Sequence, residues 1–171
     1  MAASQRSGRD AEFVEFMAAA QPGLLRMARF LTGSDDLARE LTQDALVRAY
    51  AAWPRVRREG AVAYTRRIIV NRRVTGWRRT SREEPHDPSD AGLDTPVADG
   101  GATERRDEVV RLLAALPERQ RKVVVLRYYV DLSEQQVADM MGISVGTVKS
   151  SASRGLASLR QYSILTGGTE S

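Results

Sequence analysis

Apolar residues recur every three or four positions through most of this chain, in blocks separated by glycine, proline or polar stretches. That period is helical, so each block predicts an amphipathic helix. Phe13, Val14, Phe16 and Met17 predict a short first helix that Pro22 and Gly23 end, and Leu24 to Leu31 predict a second. Gly33 punctuates again, and Ser34 is placed to cap a longer helix from Asp35 to about Ala52, with two acids in its first turn where the helix dipole favours them. Its inward stripe reads Leu37, Leu41, Ala45, Leu46, Ala49, Tyr50 and Trp53, and Pro54 stops it. The outward positions are Asp36, Arg39, Glu40, Gln43, Asp44, Val47 and Arg48, a mixed charged face that solvation alone would explain. After a basic loop, Arg55 to Gly60, a helix is predicted from about Ala61 to Arg79, with Val62, Ile68, Ile69, Val74 and Trp77 inward and Tyr64 near the edge.

The pattern stops between Thr80 and Thr103, where three prolines, three glycines and six acids leave almost no large apolar residue. This composition predicts a flexible linker. As a coil its root-mean-square span is about 27 Å, and stretched it reaches much further. Helical periodicity returns from Glu104 to Leu116, and Pro117 is expected at the first position of the next helix, with Val123 to Leu126, Tyr128 and Tyr129 packed inside. The β-branched run VVVLRYYV would suit a buried strand as well, but helical patterns flank it on both sides.

The last block, Asp131 to Arg160, is the most specific. Ser133 and Gln136 form a capping box, so a helix through Val137, Ala138, Met140 and Met141 is expected, broken by Gly142. Ser144 can cap a second helix with Val145, Val148, Ala152, Leu156 and Leu159 on one face. The other face carries Gly146, Thr147, Lys149, Ser150, Ser151, Ser153 and Arg154, with no acid from Ser144 to Arg160. Small residues, hydroxyls and cations suit a helix-turn-helix whose second helix enters a DNA major groove. An ordinary helical hairpin with a solvated face fits the same spacing. Gly155 inside that helix costs about 1 kcal/mol in propensity against alanine.

Together these elements predict an all-α chain of two small helical domains, residues 10–79 and 104–165, joined by the flexible acidic linker 80–103. Charge follows the same division: the first 79 residues hold 15 Arg against 8 acids, the linker 1 against 6, and the remainder 10 basic against 8 acidic residues. On the helix after Gly60, Arg66, Arg67, Asn71, Arg72, Arg73 and Arg78 crowd one face with no interleaved acid, which favours an anionic partner. Tyr64 and Trp77 could stack on unpaired bases, although an aromatic at helical spacing also suits a core.

Other chemistry is largely excluded. The chain has no cysteine and one histidine, His86, in the linker, so thiolate metal sites and disulfides are impossible and no metal or cofactor is expected. No phosphate-binding glycine loop, catalytic carboxylate pair or nucleophile with a base appears, so no enzyme is expected. The N-terminal segment lacks the apolar core of a signal peptide and no apolar run could span a bilayer, so a cytoplasmic protein without membrane contact is expected.

The order of these segments resembles a group 4, or extracytoplasmic-function (ECF), RNA polymerase sigma factor of the sigma-70 family. LARELTQDALVRAYAAW is similar to regions 2.1–2.2, AYTRRIIVNRRVTGWRR to regions 2.3–2.4, and ALPERQRKVVVLRYYVDLSEQQVADMMGISVGTVKSSASRGLASLR to region 4; YAAWPRV, LRYY and SVGTVKS resemble the sigma-E-like actinobacterial subgroup. The resemblance implies a protein that binds core RNA polymerase, through the β′ clamp helices and the β flap, and directs it to promoter DNA, with an anti-sigma factor as a further family expectation. It implies polymerase contacts at Glu40, Gln43, Asp44 and Arg48; Arg39 stands where the family commonly has an acid. It implies −10 recognition and melting by Arg57, Arg58, Glu59, Tyr64, Arg66, Arg67, Asn71 and Arg72, and −35 reading by Ser144, Gly146, Thr147, Lys149, Ser150, Ser153 and Arg154. A stand-alone helix-turn-helix regulator is the rival reading; it explains the second domain and leaves the first without a purpose. A protein that merely occupies polymerase or another partner is the other.

Overall fold

The computed structural model describes residues 2–56, 60–80 and 102–167, with side chains over 7–56, 60–72 and 103–162. The linker expectation for residues 81–101 lies outside them, as do the side chains of Arg73, Val74, Trp77 and Arg78. Every regular element among the described residues is helical: α1 (Ala2–Thr32), α2 (Asp35–Ala52), α3 (Ala61–Thr80), α4 (Ala102–Ala114), α5 (Glu118–Val124), a single π-helical turn (Val125–Tyr129), α6 (Glu134–Met141) and α7 (Val145–Gly167).

The two expected N-terminal helices are one. Pro22 and Gly23 lie exposed inside α1, and the helix runs on because Phe13 and Phe16 before them share a buried stripe with Leu24, Met27, Ala28 and Leu31 after them. Burying that stripe outweighs the hydrogen bond that proline removes. α2 starts as its capping residue predicts: the Ser34 hydroxyl accepts from the Leu37 amide at 3.4 Å. Ala38, Thr42 and Ala52 are buried beside the predicted Ala45, Leu46 and Ala49, and small residues on this face let α1 and α2 pack closely. At one end of that seam Phe13, Phe16 and Trp53 stack with centroids 5.1 to 5.8 Å apart. Tyr50 caps the cluster from the surface rather than from the core, its hydroxyl donating to Asp10 at 2.6 Å. α3 closes this domain with Ala61, Thr65, Ile69 and Val70 fully buried.

In the second half Pro117 is the N-cap of α5 rather than its first residue. Val123, Val124, Val125 and Leu126 are buried in a helix, not a strand. The expectation that Tyr128 and Tyr129 pack inside is corrected: they are 55% and 39% exposed. The Val130 amide donates to the Val125 carbonyl five residues back, and this widened turn rotates both rings toward the surface.

Candidate nucleic-acid interface

The helix-turn-helix is built from the local signals in its sequence. Ser133 and Gln136 close the capping box at 3.1 and 2.8 Å, and Gly142 ends α6 at φ +65°, a left-handed conformation that glycine adopts without strain. Ser144 then starts α7: its hydroxyl oxygen accepts from the Thr147 amide at 3.1 Å and lies 2.8 Å from the Thr147 hydroxyl. Val148 is fully buried and Ala152 nearly so, which anchors one face of α7 and turns Gly146, Lys149, Ser150, Ser153 and Arg154 outward, with Thr147 half-buried.

Ser151 belongs to the opposite set from the one expected. It is 6% exposed, one residue from Ala152 in the seam that α7 makes with its neighbours. Lys149 reaches back to α6, its Nζ 3.7 Å from a Glu134 oxygen, and Ser150 donates to the Thr147 carbonyl at 3.2 Å. The positive end of α7 therefore projects small side chains, hydroxyls and cations from a rigidly capped N-terminus.

Gly155 reads differently once the packing is known. A Cβ on it would stand 2.7 Å from Val124 Cγ2 and 3.5 Å from Gln120 Cβ, so glycine is what allows α7 to lie this close to α5.

In the first domain, α3 exposes Tyr64, Arg67, Asn71 and Arg72, with Arg66 half-buried, opposite the buried Thr65, Ile69 and Val70. Thr65 satisfies its hydroxyl internally by donating to the Ala61 carbonyl at 2.7 Å. Arg57, Arg58 and Glu59 lie outside the described residues. On α2, Glu40, Gln43 and Arg48 are exposed around Val47, which is 62% exposed, and Arg39 pairs with Asp36 at 2.8 Å.

The structure joins two sets that the sequence kept apart. One Asp44 oxygen accepts from Arg72 Nε on α3 at 2.7 Å and from Arg48 Nε on its own helix at 3.0 Å. The Arg72 hydrogen bond holds the Asp44 carboxyl below its ordinary carboxylate value, against the opposing effect of desolvation and with the help of the Arg48 charge. The same bond raises Arg72.

Two further features had no signal in the sequence. An apolar cavity of about 560 Å³ opens on the second domain, lined by Val109, Leu112, Leu113, Tyr128, Tyr129, Leu156 and Leu159 among others, with Phe30 of α1 at its wall. Val109 and Tyr128, apolar yet well exposed, belong to it. A polar cluster beside it ties the end of α1 to α4 and α5 through Arg29, Asp107 and Arg121. Its members are some 80 to 90 residues apart, beyond any periodicity argument. Among the described residues no group of His, Cys, Asp or Glu could hold a metal ion, and no helix is long and apolar enough to cross a membrane.

Residues 16–83 match the family model for sigma-70 region 2, and residues 106–159 that for sigma-70 region 4. The chain belongs to the sigma-70 family. It is 38% identical over 154 residues to the RNA polymerase sigma-E factor of Streptomyces coelicolor, covering 88% of this chain and 85% of that protein. The sigma-E factor of Streptomyces avermitilis is equally similar, at 38% over 154 residues. Among solved structures, the sigma factor RpoE of Bartonella quintana, in complex with the anti-sigma factor NepR, shares the fold with a TM-score of 0.68, 24% identity, and coverage of 87% of this chain and 94% of that one. CnrH, in complex with the cytosolic domain of CnrY, gives a TM-score of 0.63 at 24% identity over 99% of this chain and 96% of that one. The protein is thus an ECF RNA polymerase sigma factor, which takes core polymerase to promoters and promotes their opening, and not a stand-alone regulator.

Proposed function

We propose that residues 10–79 form the domain that binds core polymerase and opens the −10 element, and that residues 104–165 read the −35 element, with the segment between them as tether. The observation that carries this reading is the α7 N-terminus: a helix capped by Ser144, anchored by Val148 and Ala152, and presenting Gly146, Thr147, Lys149, Ser150, Ser153 and Arg154 without an acid. Such a surface meets phosphates through its cations and base edges through its hydroxyls, while Gly146 permits close approach. On α3, Tyr64, Arg66, Arg67, Asn71 and Arg72 provide cations and one exposed ring for a displaced strand, the combination that single-strand binding requires. The loop residues Arg57, Arg58 and Glu59 are assigned to capture of a flipped base.

The α2 face of Glu40, Gln43, Asp44 and Arg48 is assigned to the β′ clamp helices, with Val47 giving that charged face an apolar centre. The apolar groove of the second domain is assigned to the β flap. An anti-sigma factor covering either surface would keep the chain from polymerase. The protein acts in the cytoplasm and performs no bond chemistry of its own. An Arg66→Ala/Arg67→Ala double variant tests the division of labour: it is expected to keep core binding on a sizing column while losing promoter opening, read by permanganate footprinting, at least tenfold. Unchanged opening would remove α3 from the strand-binding role.

A further inference from the structure

One oxygen of Asp44 holds two guanidinium groups. Its Oδ2 accepts from Arg72 Nε on α3 at 2.7 Å and from Arg48 Nε on α2 at 3.0 Å, and among the described residues neither arginine makes another hydrogen bond. Each spends its Nε on the acid and keeps the whole Nη1–Nη2 edge. The two Nε atoms are thereby kept within about 6 Å, where like charges repel unless a carboxylate stands between them. The carboxylate is also the deeper group, 29% exposed against 50% for Arg48 and 48% for Arg72, so the acid sits behind the two cations.

A surface ion pair matches one cation with one anion and adds little stability. Here two cations share one acid, and the trio keeps a positive charge, with Glu40 adding only a weaker, longer-range attraction on Arg72. A guanidinium fixed by its Nε presents Nη1 and Nη2 together, the edge that meets two oxygens of one phosphate at once. Tyr64, exposed on the same helix as Arg72, precedes it by about 12 Å along the axis, so one extended strand can lie against the ring and the cations together.

We propose that Arg48 and Arg72 form a clamp for one backbone phosphate of the displaced −10 strand, with Asp44 as the residue that positions both guanidiniums. The clamp rests on the assignment of α3 to that strand and extends the strand's site from α3 onto α2. Arg48 then stands on the border between the polymerase face and the DNA face, whereas Glu40 and Gln43 are left to polymerase alone. A phosphate contact fixes the register of the strand without reading a base, so the clamp should serve promoters whatever their −10 sequence.

The test uses holoenzyme assembled with core polymerase in excess and a promoter fork whose non-template −10 segment is single-stranded, its phosphates replaced one at a time by uncharged methylphosphonate. With the native chain, one replacement is expected to weaken fork binding at least tenfold. In Arg48→Ala and in Arg72→Ala the intact fork should bind more weakly and the same replacement should cost less than twofold. The slope of log affinity against log salt should also fall by about 0.7, the share of one single-strand phosphate. Arg72→Lys keeps the charge without the planar edge and should lose the same dependence. Asp44→Asn separates positioning from charge: loss of an acid beside DNA would tighten binding if charge alone mattered, whereas positioning predicts that dependence on the one phosphate disappears. Tighter binding with that dependence intact would overturn the role of Asp44. If Arg66→Ala/Arg67→Ala abolishes fork binding, yet no replacement matters in the native holoenzyme or one costs the native chain and both alanine variants equally, the clamp alone is overturned. Fork binding indifferent to Arg66→Ala/Arg67→Ala would strike down the α3 assignment and the clamp with it.

Discussion

Asp44 is the residue at which the faces proposed for polymerase and for DNA meet in the first domain. Its carboxylate sits on the helix face assigned to polymerase yet is held by Arg72 from the helix assigned to DNA. Because the folded state keeps the Asp44 pKa below its ordinary value, the ion pair contributes stability above that value and loses it as pH falls through the lowered pKa. The difference in melting temperature between the native chain and Asp44→Asn is therefore expected to be constant from pH 6 to 8 and to close on acidification below about pH 4. Both partners are partly exposed, so the gap should be no more than about 4 °C. Thermal melts across that range check it, and a gap that widened in acid would contradict the pairing.

At the scale of elements, the seams decide what the helices can do. Gly155 has the wrong propensity for a helix interior but the right volume for the α5–α7 seam, because a methyl group there would collide with Val124, whose branched side chain has little freedom to turn aside. Gly155→Ala should destabilise the fold by about 1–2 kcal/mol, despite a gain of about 1 kcal/mol in helix propensity. Urea unfolding measures this, and a variant as stable as the parent would mean that α7 lies further from α5. The same contest explains which elements were legible in the sequence. Ser34, the Ser133–Gln136 box, Gly142 and Ser144 are local signals, answered by local hydrogen bonds at the predicted places. Pro22 misleads because the stripe from Phe13 to Leu31 needs one continuous helix to bury it, a tertiary demand that local propensity does not contain. Tyr128 and Tyr129 mislead because a period of 3.6 places them inward and the π-helical turn does not keep that period.

For the whole molecule, each face could be read from its own helix, whereas their arrangement could not. The α7 cations and hydroxyls follow from spacing, and the arginines of α3 from charge. The Arg72–Asp44 pair, the Arg29–Asp107 bridge and the Phe30–Tyr129 contact join residues 28 to 99 positions apart and arise only when helices pack. The functional reading proposed for these faces depends on the first domain engaging polymerase through α2. The measurement that tests this most directly is co-elution with bacterial core RNA polymerase on a sizing column, for the native chain and for Asp44→Arg. The account predicts a stable complex with the native chain and at least tenfold weaker binding by the variant, since a third cation would stand where Arg48 and Arg72 converge and the carboxylate offered to polymerase would be lost. A native chain that elutes alone, or a variant that binds core as tightly as the native chain, would contradict it.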